Sequence, residues 1–75
     1  MSNKEKKELL LEIAQLLVDI HNIKSKGILS TAEENAVSSL MATLMGKEKD
    51  YNKKYGVRPT WGNIENVIDF VNNNQ

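Results

Sequence analysis

The widest chemical reach in this chain lies between Lys47 and Trp61. Lys47, Lys49, Lys53, Lys54 and Arg58 face only Glu48 and Asp50, an excess of three positive charges, with Tyr51, Tyr55 and Trp61 interleaved among them. Cationic groups neutralise phosphates and aromatic rings stack on bases. The mixture therefore has the chemistry of a nucleic-acid contact, with Lys53, Lys54, Tyr55, Arg58 and Trp61 as its candidate residues. A plainer reading weighs more. Both tyrosines continue the inner stripe of a helix, Trp61 opens the inner face of the next, and the lysines around them are solvated.

Catalytic groups are sparse. His21 is the only histidine, and Asp19, two residues away, lies on a different part of a helical surface, so the pair does not form an oriented acid–base unit. There is no cysteine. The neighbouring carboxylates Glu33–Glu34 and Glu48–Asp50 suit helix capping and solubility better than a catalytic dyad. The chain has no Gly-rich phosphate loop, nucleophile elbow or EF-hand spacing. These observations predict a non-enzymatic protein with no cofactor and no metal.

A helix-turn-helix reading fails on charge. Gly27-Ile28-Leu29-Ser30 has the length and glycine of such a turn. The following helix, however, opens Thr31-Ala32-Glu33-Glu34, and phosphates repel carboxylates where a recognition helix meets DNA. The last helix offers Asn63, Glu65 and Asn66, and no Lys or Arg follows Arg58.

Composition narrows the class further. Ten basic and ten acidic residues leave no overall bias towards nucleic acid or membrane. The apolar run from Leu9 is interrupted by Glu12 and Asp19, which argues against a membrane span, and no cleavage site for a signal peptide follows it. The expectation is a cytoplasmic protein with no membrane partner. A chain of 75 residues buries only about 60% of its unfolded surface and this one has no disulfide, so its stability rests on helix packing or association.

The elements that carry these residues are three expected helices, near 3–24, 31–54 and 61–72, with a frayed tail at 73–75, together one small all-α domain. Ser2 or Asn3 is placed to cap the first, and Gly27 to terminate the turn after it. Ser30 and Glu33 form a Ser-x-x-Glu capping box for the second, the strongest local signal in the chain. Val37, Leu40, Met41 and Leu44 line one face, and the stripe resumes in phase at Tyr51, which predicts a helix continuous through Gly46. Thr60 is the expected cap of the third helix, whose inner face is Ile64, Val67, Ile68 and Val71, with Trp61 and Phe70 on its flanks.

The first helix dominates the design. Its polar residues Glu12, Gln15, Asp19 and Asn22 form one narrow strip, and almost everything else from Leu9 to Ile23 is apolar. The expected core is Leu9, Ile13, Leu16, Leu17, Ile20, Val37, Leu40, Leu44, Trp61, Ile64, Val67 and Ile68. Leu9, Ile13, Leu16, Ile20 and Ile23 alternate by four and three, the spacing of paired helices. Two ways of covering the remainder stay open. The other helices cover it within one chain, or a second copy or another protein does. The width of the apolar arc favours the latter, with Leu10, Leu11, Leu17, Val18, Met41 and Met45 as the expected protein interface.

The reading that follows is a small interaction protein that regulates or inhibits another protein by occupying a surface on it. The alternative is a small nucleic-acid-binding regulator using residues 47–61. In size, neutrality and all-helical character the chain resembles the accessory regulators and inhibitors of bacteriophages and mobile elements, a likeness that involves no specific motif.

Overall fold

A computed structural model of the protein describes residues 3–74. It contains α1 (Asn3–Lys24), α2 (Thr31–Tyr55) and α3 (Ile64–Asn73), with no strand among the described residues. The fold is all-α. Asn3 is already helical, and Ser2, the other expected cap of α1, lies outside the described residues.

Helix α2 starts where its capping box places it. The Glu33 amide donates to Ser30 Oγ at 3.2 Å, and the Ser30 amide donates to Glu33 Oε1 at 3.0 Å. Lys26 Nζ reaches Glu33 Oε2 at 3.1 Å, tying the α1–α2 turn to the same carboxylate. The helix runs unbroken through Gly46 and stops at Gly56, whose φ of 77° is left-handed and whose N–H donates to the Asn52 carbonyl at 2.8 Å.

Helix α3 starts three residues later than its apolar pattern suggests. Its N-cap is Asn63, not Thr60: Asn63 Oδ1 accepts from the Asn66 amide at 2.9 Å. Gly62, at φ 86°, turns the chain between Trp61 and that cap, and Asn66 Nδ2 donates to the Trp61 carbonyl. Trp61 is thereby held outside the helix while its ring still faces the core. Helix α3 also runs into the segment expected as a frayed tail. Asn73 is helical, and Asn74 Nδ2 donates to the Phe70 carbonyl at 2.8 Å. Gln75 lies outside the described residues.

Packing follows from the apolar arc of α1. Helix α2 packs on one part of it and α3 on another, and α2 and α3 do not contact each other. Ile13 meets Leu44 and Tyr51 in one buried cluster, with Leu9, Leu16 and Ile20 packed around it. Ala14 meets Val67 and Val71 in a second, with Ile64 and Phe70 alongside. Leu17 and Trp61 touch both clusters and join them. Leu40 and Ile68, also expected in the core, are only half-buried. The core is thin: Ile13 is its one large side chain that is fully enclosed among the described residues.

Two outcomes test this account of α2. A Cβ built at Gly46 meets nothing within 4 Å, so Gly46→Ala should raise stability by about 1 kcal/mol, the usual helix-interior difference. Chemical denaturation reads this directly, and a destabilised variant would mean that bare backbone is required at position 46. The second outcome concerns acid. The Ser30 amide bonded to it, with the Lys26 ammonium and the Ser30 hydroxyl beside it, holds the Glu33 carboxyl below its ordinary value of 4.5. A lowered folded-state value stabilises the fold above the ordinary value, and that contribution is lost as pH falls through the folded value. Wild type should therefore melt higher than Glu33→Gln at neutral pH, and the gap should close in acid. A gap independent of pH would refute the ionised capping box.

Candidate interaction surface

The five cations of residues 47–58 do not act as one patch, because the fold assigns most of them partners. Lys47 Nζ pairs with Glu12 Oε1 across the α1–α2 seam at 3.6 Å. Lys54 pairs with Asp50 one turn earlier at 3.4 Å, and Arg58 reaches Glu48 at 4.0 Å. Lys49 and Lys53 are exposed and have no carboxylate partner among the described residues.

The aromatic residues are equally committed. Tyr51 is buried, and the Tyr55 ring lies 4.8 Å from it. Lys6 Nζ, from the start of α1, sits 5.4 Å above the Tyr55 ring as a cation–π contact. Trp61 packs on both core clusters with its ring 6.0 Å from Phe70. No ring of the segment is left fully exposed as a stacking platform. Of the five expected nucleic-acid contacts, Lys53 is the one that combines exposure with an unpaired charge.

The expected protein interface divides as well. Leu10 packs on the Ile13 cluster, Val18 on the Ala14 cluster and Leu17 on both, while Leu11 is half-buried. Met41 and Met45 remain in solvent. Along α2, Val37, Met41 and Met45 follow at four-residue steps, and each step turns the side chain about 40° further round the helix. Their exposures record that rotation, at 8%, 44% and 66%. Lys49 and Lys53 continue the same ridge, and exposed Val57 lies just past the Gly56 cap. The structure thus brings together Met41, Met45, Lys49 and Lys53 as one apolar-to-cationic ridge. Its four-residue spacing is visible in the sequence, but it is obscured there by the three neighbouring cations that fold onto carboxylates.

Ile28 is a further exposed residue that sequence reasoning passed over as part of the turn. It stands 98% exposed between α1 and α2. Nothing in its local pattern distinguishes it from Leu29, which is half-buried.

Two hollows lie on the surface. One, about 460 Å³, lies between α1 and α2 and is lined by Glu8, Glu12, Gly46, Lys47, Asp50 and Lys54, among others. The ion pairs Lys47–Glu12 and Lys54–Asp50 already match two of its carboxylates. The other, about 270 Å³, lies beside Leu17, Trp61 and Ile64, and is smaller than the usual small-molecule pocket of roughly 300–1,000 Å³. Among the described residues no group of His, Cys, Asp and Glu is arranged to hold a metal, and no helix is long and apolar enough to cross a membrane. Comparison with known families, curated proteins and solved structures finds no match.

The ridge and the core should respond differently to substitution. Met45→Asp should keep its helical circular dichroism and cost less than about 1 kcal/mol, as exposed substitutions do. Ile13→Ala, which empties the centre of the core, should cost about 2–5 kcal/mol. Loss of the fold in Met45→Asp would place Met45 in the core and remove it from any contact surface.

Proposed function

We propose that this protein is a small, non-enzymatic helical interaction protein that regulates or inhibits another protein by covering a surface on it. One observation carries the reading: the chain leaves Met41 and Met45 exposed on a long, continuous helix that contributes other side chains, Leu44 and Tyr51, to the core. Methionine is unbranched and polarizable, so it adapts to irregular partner surfaces, and two adjacent lysines give the same edge a charge with which to select among them. A role in the cytoplasm of a host cell, as a phage-like accessory regulator, fits a neutral all-helical chain of this kind.

The competing reading is a nucleic-acid-binding regulator. The pairing of Lys47, Lys54 and Arg58 with carboxylates and the inward packing of Tyr51 and Trp61 count against it. Salt separates the two. A protein that neutralises several phosphates loses affinity with a slope of about −0.9 per phosphate in log affinity against log salt on duplex DNA. Titration of labelled duplex and single-stranded probes should give weak binding at low salt and none at moderate salt. Tight binding with a steep salt slope, abolished by Lys53→Glu plus Arg58→Glu in a folded protein, would overturn the proposal.

A further inference from the structure

The exposed strip of α3 carries the counterpart of the α2 ridge. Glu65, Ile68, Asp69 and Asn72 fall at positions i, i+3, i+4 and i+7, one strip of a helix. Glu65 and Asp69 are exposed and have no cationic partner among the described residues, and Ile68 between them is only half-buried. Lys49 and Lys53 are separated by the same four residues, a rise of about 6 Å, as Glu65 and Asp69. Each strip therefore presents two unpaired charges of one sign beside apolar side chains. Their signs are opposite and their spacing is equal. The two strips do not meet within one chain, since α2 and α3 make no contact.

We infer that the ridge Met41–Met45–Lys49–Lys53 docks a second copy of this chain through the partner's strip of Glu65, Ile68 and Asp69. A twofold pair uses both strips of both copies, because each α2 ridge meets the partner's α3 strip. Area agrees with this. The protein exposes 5305 Å², whereas a compact monomer of its mass exposes about 4,700 Å². The excess approaches the roughly 800 Å² per partner covered by a standard interface. A net charge of zero also means that two copies meet without overall repulsion. The inference rests on reading the α2 ridge as a contact surface, and it makes the second copy and a target protein competitors for that ridge.

Sedimentation equilibrium of the full chain into the high micromolar range, at low and moderate salt, tests it with charge-reversal variants. Wild type should dimerise, more weakly as salt rises. Lys49→Glu plus Lys53→Glu, and separately Glu65→Lys plus Asp69→Lys, should each weaken association at least ~10-fold while keeping full helicity, because all four side chains are exposed. Mixing the two variants should restore association as a hetero-pair, since every reversed ridge then faces a reversed strip. Met45→Asp should weaken the dimer without unfolding the chain. A wild-type monomer throughout the range would overturn the inference and leave the ridge to a different protein. A dimer indifferent to both charge reversals, or variants that do not rescue each other, would overturn it as well. Each of these results leaves the proposed function standing, whereas steep salt-dependent nucleic-acid binding removes that function whatever the assembly state.

Discussion

The fold depends on α1 serving as the shared wall of two separate contacts. Helices α2 and α3 do not pack on each other, so each packs on α1. This explains why the apolar arc of α1 is so broad, and why Ile13 and Ala14, adjacent in sequence, lie at the centres of different clusters. About 100° of helix rotation separates them, so they face different neighbours. Ala14 has no side chain beyond Cβ, so Val67 and Val71 fit against α1 at that point. Leu17 and Trp61 then make the two clusters one mechanical unit.

Electrostatics contributes register and surface pattern more than stability. The four ion pairs named above have partly exposed partners, and such pairs contribute little to stability. Full burial of a single side chain such as Ile13 exceeds that, at about 1.5–3 kcal/mol. What the pairs decide is which charges remain available. Glu12, Glu48 and Asp50 take up Lys47, Arg58 and Lys54, and this leaves Lys49 and Lys53 as the cations of α2 that face solvent without a carboxylate. A segment with a net positive sequence thus becomes a narrow cationic ridge, set apart from the aromatic rings that accompany it in the chain.

A helical hairpin with a short third helix on one side also accounts for the surface excess. Helix α2 is about 37 Å long at 1.5 Å per residue, close to the 42 Å length of the molecule, whereas the ten residues of α3 span about 15 Å. Helix α3 packs on α1 and not on α2, so α1 alone covers α2. Surface that a rounder domain would bury is therefore left open along α2, and it is there that Met41 and Met45 emerge.

The sequence by itself determined the three helices and both caps of α2, because those signals are local. Ser30 and Glu33 lie within one turn of each other, Gly56 supplies the left-handed stop, and the stripe through Val37, Leu44 and Tyr51 stays in phase across Gly46. The central place of α1 was legible for the same reason, since a helix apolar over most of its circumference must be covered on more than one side. The start of α3 was not legible: Thr60 and Asn63 are both competent caps, and the choice was made by Gly62 turning the chain and by Trp61 reaching the two core clusters. The candidate surface was only half legible. Met41 and Met45 could be read as an edge of the stripe, but that Leu10, Leu17 and Val18 pack on the core clusters became visible only with α2 and α3 in place. Nor could composition separate Lys49 and Lys53 from Lys47, Lys54 and Arg58. Whether a charge is free depends on which carboxylate the fold brings within about 4 Å, and for Lys47 that carboxylate, Glu12, is thirty-five residues away in the chain and meets it only across the packed seam.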